Sequence, residues 1–152
     1  MALILNIETS STNCSVCLSN KGQLIDCLEK DSPSYSHSQK LHSFIAELMD
    51  RNKIKFKDLN AVSVGIGPGS YTGLRIGLSA SKGICYALNI PLISVSSLEN
   101  LITNIDFNGL LIPTIDARRN EVYSCVYDKK NRIIRNEIPR KNKQYSSNEQ
   151  LI

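Results

Sequence analysis

The chain has 152 residues, enough for one full domain or for one domain and part of another. Hydrophobic residues make up 41% and charged residues 21%, as in ordinary globular proteins, and no apolar run approaches the roughly 18 to 20 residues needed to cross a bilayer. The net charge of +4 is modest, and its excess lies late, in KKNRIIRNEIPRKNK, which reads as a solvated ribbon rather than a dedicated nucleic-acid site.

ALILNIE, from Ala2 to Glu8, is short and apolar and predicts a central strand. TSSTN follows as a hydroxyl-dense turn, CSVCLS resumes the strand pattern, and Asn20-Lys21-Gly22 turns the chain into a third strand, QLIDCLEK. Short turns between three strands predict an antiparallel meander. Cys14 and Cys17 form a CxxC, yet residues three apart on a strand face opposite sides, and no second CxxC supplies further ligands. Both are therefore expected to be buried structural thiols. The five cysteines, an odd number without framework spacing, fit a reducing compartment, and the N-terminus lacks the basic flank of a secretory signal. A cytoplasmic location without membrane attachment is expected.

DSPSYS is a loop. From His37 to Asn52, the residues Leu41, Phe44, Ile45, Leu48 and Met49 recur at helical spacing on one face. His37 and His42 are five apart and diverge on that helix, so they are not read as metal ligands.

Ala61 to Ile66 is an apolar, β-branched run that predicts a buried strand, and Leu74 to Leu88 has helical composition. Between them lies GPGSYTG, where Gly67, Gly69 and Gly73 release the backbone and Ser70 or Thr72 can cap the helix. Two readings stand: a tight strand-to-helix connection, or an anion site at a helix N-terminus. Neither GxxxxGK[ST] nor GxGxxG is matched. The helix itself is apolar nearly all round. Leu74, Leu78 and Cys85 line one side and Gly77, Ala80, Ser81, Ile84 and Ala87 another, with Arg75 and Lys82 as a narrow charged stripe. The small residues would let a second helix approach closely, either the other helix of the same domain or a partner's.

After Asn89, PLISV predicts a strand, and Ser96 with Glu99 a capping box for a short helix. LLIPTID, EVYSCVYD and NRIIRNEI read as three further strands, with ARRN turning between the first two. A polar tail follows, with a further capping-box pair at Ser146 and Glu149. The element order matches an α/β domain of the ribonuclease-H-like type used by actin-like ATPases over residues 1–108, with a partial second domain of the same type over 109–152.

Four blocks in order, ILNIETSSTNCSVCL, HSQKLHSFIAELM, GPGSYTGLRIG and LIPTIDARRNEVY, resemble the TsaB family. That family supplies the dimerisation subunit of the bacterial machinery that adds threonylcarbamoyl to an adenosine of tRNA. The resemblance implies a non-catalytic scaffold that pairs with a TsaD-type catalytic subunit, works beside a TsaE-type ATPase, and meets tRNA through the complex. It implies no cofactor of its own, and self-association through the same surface when alone. It also implies an interface on the two helices, at Leu41, Phe44, Ile45, Leu48, Gly77, Ala80, Ser81, Ile84 and Ala87. In the related ATPases the first hairpin turn approaches nucleotide phosphates, and Glu8-Thr9-Ser10-Ser11 resembles it. Thr9, Ser10, Ser11, Gly67, Gly69 and Ser70 are therefore the candidate phosphate contacts. TsaD carries an H-x-x-x-H metal pair after the equivalent strand. Here Ser97 and Leu101 stand at those positions, so neither a catalytic nor a metal residue is assigned. The alternatives are a glycoprotease-like metallopeptidase, which lacks that pair, and an ATP-dependent kinase, which needs a complete second domain and an acidic base. Family members normally continue past this point, so the chain is expected to be a fragment or a short member.

Overall fold

The computed structural model describes residues 2–31, 37–128, 133–141 and 150–151, the side chains of 37, 39 and 133–151 excepted. The loop over 32–36, the pair Ser146 and Glu149, and most side chains of the late basic run lie outside the described residues. The chain forms two compact units, Met1–Val95 and Ser96–Ile152.

The first unit opens with β1 (Leu3–Glu8), β2 (Asn13–Asn20) and β3 (Gln23–Asp31), paired as an antiparallel meander. Lys21 and Gly22, at φ 53° and 75°, make the two-residue turn between β2 and β3, a backbone conformation that glycine adopts without penalty. Helix α1 (His37–Arg51) leads to β4 (Ala61–Gly65), which pairs parallel with β1. Helix α2 (Tyr71–Leu88) then leads to β5 (Leu92–Val95), parallel to β4. The strand order is β3-β2-β1-β4-β5. Period-two alternation puts Leu5, Ile7, Cys14, Val16, Leu18, Val62 and Val64 on one face of the sheet. Leu41, Ile45, Leu48 and Met49, one stripe of α1, complete that core. Each such aliphatic side chain contributes about 1.5–3 kcal/mol on burial.

Helix α2 starts where Ser70 Oγ accepts the Gly73 N–H at 3.2 Å. It ends at Asn89, whose left-handed backbone (φ 54°, ψ 46°) turns its N–H onto the Cys85 carbonyl.

The second unit begins with α3 (Ser97–Ile102), capped by Ser96, whose Oγ accepts the Glu99 N–H. Strands β6 (Leu110–Ile112) and β7 (Thr114–Arg118) run on one continuous register against β8 (Glu121–Asp128) as far as Asp116, broken only at Pro113, which has no N–H to give the ladder. Arg119 and Asn120 (φ 55° and 61°) form the turn into β8, and Arg118 (φ 64°) sits at a register shift beside it. β9 (Ile133–Lys141) pairs antiparallel with β8, and β10 (Gln150–Leu151) lies parallel to β6. The second meander read from the sequence is present. Leu98 and Ile102 of α3 pack with Leu111, Cys125 and Tyr127, so the division between units falls before α3 rather than at residue 108.

Candidate functional site

The hydroxyl turn after β1 and the glycine turn after β4 are built against each other. Thr9 Oγ1 donates to the Gly73 carbonyl at 2.8 Å, and the Ser70 N–H donates to the Ser10 carbonyl at 2.6 Å. The Ser10 N–H is held in turn by Glu8 Oε1 at 2.7 Å. Thr9 and Ser10 are buried. The glycines are where this approach is closest. A Cβ on Gly65 would overlap the Glu8 carboxylate, one on Gly69 would overlap the Ser10 carbonyl oxygen, and one on Gly77 would overlap Thr9 Oγ1. Gly67 needs its positive φ of 101° to follow β4 out of the sheet, and its peptide to Pro68 is cis. Of the six candidate phosphate contacts, Ser10, Gly69 and Ser70 thus meet one another, while Thr9 meets α2 at Gly73 and Gly77. Gly67 borders Leu74, and Ser11 is exposed, its Oγ accepting the Asn13 N–H at 3.2 Å.

The faces of α2 differ from the sequence expectation. Its buried line is Gly73, Gly77, Ser81 and Cys85, four residues apart, turned toward the sheet. Small side chains lie there because the helix comes down onto Ile7 and Thr9. The Ser81 hydroxyl, removed from water, donates to the Gly77 carbonyl at 2.8 Å. Gly77 and Ser81 are therefore interior and not part of a docking face. The same correction applies to Leu41, Ile45 and Leu48, which are at most 2% exposed in the unit's own core. Phe44, Ala80 and Ile84 are half-buried and packed on that core, and only Ala87 of the expected interface is fully outward. The outer face of α2 instead carries Thr72, Arg75, Ser79, Lys82, Gly83 and Tyr86. Tyr86 is 91% exposed, and a Cβ on Gly83 would meet nothing within 4 Å. Arg75 lies over the exposed Tyr71 ring at 4.0 Å. Ser43, Ala46, Glu47 and Asp50 form the outer side of α1. The signal for this face was the polar and small residues at 72, 75, 79, 83 and 86, a period of three to four.

Ser97 is buried and Leu101 is exposed, and among the described residues no group of three or more His, Cys, Asp or Glu could hold a metal ion. No helix among the described residues is long and apolar enough to cross a membrane. Cys14 is a buried free thiol as expected, but Cys17 is not: it is bonded to Cys27, its register partner on β3. The sequence reading paired Cys17 only with its near neighbour Cys14 and missed its cross-strand one. Next to it in sequence, Asp26 accepts Arg51 Nε at 2.8 Å and Asn52 Nδ2 at 2.7 Å, and the Arg51 guanidinium holds its carboxyl down at about 2.

Residues 32–150 match the family model described as TsaD: tRNA N6-adenosine threonylcarbamoyltransferase. The Bacillus subtilis (strain 168) protein named tRNA threonylcarbamoyladenosine biosynthesis protein TsaB is 35% identical over 91% of this chain and 61% of its own length. The protein of that name from Escherichia coli (strain K12) is 33% identical over 83% of this chain and 55% of its own. YeaZ from Pseudomonas aeruginosa has a TM-score of 0.82 at 26% identity, covering 96% of this chain and 70% of that one. The chain thus spans 61% and 55% of the two curated relatives. The fold is an α/β fold of the ribonuclease-H-like, actin-like class. Within that class the chain belongs to the family described by the TsaD model, and it is similar along most of its length to the proteins named TsaB.

Proposed function

We propose that this chain serves tRNA threonylcarbamoyladenosine biosynthesis as a non-catalytic subunit that docks a TsaD-type catalytic subunit through the outer face of α2 and the adjoining side of α1. The observation that carries the reading is that face: Ser79, Gly83 and Ala87 keep it low, and Tyr86 stands out from it into solvent. Low side chains let a second helix come close, and an exposed tyrosine supplies contact area with little entropy to lose. The names of the curated relatives support the pathway. The serine and leucine at 97 and 101 support the absence of catalysis, since leucine offers a metal no donor.

In this reading the two turns form a structural seam rather than a nucleotide cradle, because the Thr9 hydroxyl is given to the Gly73 carbonyl and the Ser70 N–H to the Ser10 carbonyl. The complex would take in a TsaE-type ATPase and present tRNA to the catalytic subunit in the cytoplasm. The test is reconstitution with purified TsaD- and TsaE-type subunits, threonylcarbamoyl adenylate and tRNA. Modified adenosine should form with all components, fall sharply when this chain is left out, and not form with this chain alone. Turnover by the isolated chain would overturn the reading.

A further inference from the structure

We infer that Cys17 and Cys27 are a reversible thiol–disulfide pair that fastens the edge strand β3 to the sheet. The two residues face each other across the β2–β3 ladder with Cα atoms 4.1 Å apart. Directly opposed residues at so short a separation put their side chains on the same face, side by side. The register therefore keeps the two sulfurs neighbours whether the bond is closed or open. The pair lies on the sheet face away from the core, since Cys14, Val16 and Leu18 take the other side of β2. Both residues are only partly buried. Ser15 Oγ stands 3.6 Å from each sulfur, placed to donate a hydrogen bond to whichever thiolate forms.

The other three cysteines contrast with this pair. Cys14, Cys85 and Cys125 are buried and outside the disulfide, and burial pushes the Cys14 and Cys85 thiols up, away from the reactive thiolate. Exchange chemistry is thereby concentrated on one pair. A low-molecular-weight disulfide such as oxidised glutathione is attacked by one of the two thiolates, which releases one glutathione thiol and leaves a mixed disulfide. The second cysteine then displaces the other glutathione thiol as the protein S–S bond closes. Two protein thiols are oxidised and one disulfide is reduced to two thiols; excess glutathione reverses both steps.

The consequence falls on β3. Both ends of that strand are exposed and only its middle is half-buried. It is held by its ladder to β2, by the disulfide, and by the contact of Asp26 with Arg51 and Asn52 at the end of α1. Reduction removes the covalent tie and leaves the other two.

The test uses the full chain equilibrated with oxidised or with reduced glutathione, then alkylated in the native state and mapped by mass spectrometry. In excess oxidised glutathione none of the five cysteines should label quickly, and three should label after unfolding. In excess reduced glutathione two should label quickly, and they should be Cys17 and Cys27. Amide exchange in β3 should rise roughly tenfold on reduction while β1 stays unchanged, as expected when one fastening of a local unit is lost. Cys27→Ser should leave Cys17 as a single fast thiol that forms a mixed disulfide with glutathione. The inference is overturned if the pair stays free in oxidised glutathione or bonded in reduced glutathione. It is equally overturned if Cys17 stays unlabelled in the variant, or if β3 exchange ignores the redox state.

Discussion

Thr9 stands over Gly77 so closely that a methyl group on the glycine would overlap the threonine Oγ1, whose proton is given to the Gly73 carbonyl one helical turn earlier. The turn leaving β1 is thus seated on the first two turns of α2. Ser70 and Ser10 repeat the contact through the backbone. A side chain that is buried and hydrogen-bonded cannot swing away cheaply, so the missing Cβ at residue 77 is a packing requirement.

Gly77→Ala and Gly83→Ala should therefore change stability in opposite directions, although both put alanine into the same helix. At Gly83 the new methyl group meets open space, and helix propensity alone should add about 0.5–1 kcal/mol. At Gly77 overpacking against Thr9 should outweigh that gain and cost about 1–3 kcal/mol. Denaturant unfolding measures both. Adding Thr9→Ala to Gly77→Ala removes the obstructing oxygen and should recover part of the loss. Equal effects at the two glycines would show that the contact is not tight.

Asn89 ends α2 in the left-handed region at φ 54°. Glycine carries no penalty there and asparagine a small one, whereas a β-branched residue is strongly disfavoured. Asn89→Gly should leave the thermal midpoint unchanged or raise it slightly. Asn89→Val should lower stability by about 1–2 kcal/mol, and calorimetry compares the three.

The carboxyl of Asp26 titrates at about 2 rather than its ordinary 3.8, because Arg51 and then Asn52 donate hydrogen bonds to its ionised form. A depressed carboxyl adds stability that is fully present above the ordinary value and is lost as the pH falls through about 2. The native protein should thus lose stability between those limits, whereas Asp26→Asn should be less stable near neutrality and flatter across that acid range. High salt should narrow the gap, since Arg51 is nearly half-exposed. Parallel pH profiles for the two proteins would remove the ion pair from the account.

The strands and helices of the first unit were legible because alternation in β2 and the stripe on α1 each come from one buried face, and the continuous apolar run of β4 from burial on both faces. The turns at Lys21-Gly22 and Arg119-Asn120 were legible from their residue types. The direction of α2 was not. A helix rich in small residues offers two faces that a second surface could approach closely, and sequence cannot tell the sheet's side from the open one. The line through Gly77 and Ser81 proved to be the sheet's, fixed by Thr9, a residue far away in sequence. The Cys17–Cys27 pairing was hidden for the same reason, because it depends on strand register and not on spacing along the chain.

With that assignment the decisive substitution for the proposed interface lies at Gly83 rather than at Ala80, one of the small residues expected there from the sequence. Ala80 is half-buried against the core, so Ala80→Arg would strain the isolated unit and its effect on association could not be read cleanly. Gly83 faces outward, and its Cβ would have open space, so Gly83→Arg should fold normally; arginine is also a better helix former than glycine. Against a closely packed partner helix, however, the arginine stem needs volume that is not there and its charge loses water without gaining a counter-charge. Such a loss costs about 3–5 kcal/mol, which weakens association by roughly two to four orders of magnitude. Circular dichroism and sedimentation of Gly83→Arg, alone and mixed with a TsaD-type subunit, separate the cases. A variant that folds but no longer associates supports docking through this face. A folded variant that associates as well as the parent places the interface elsewhere on the chain, while loss of fold would contradict the open space at residue 83.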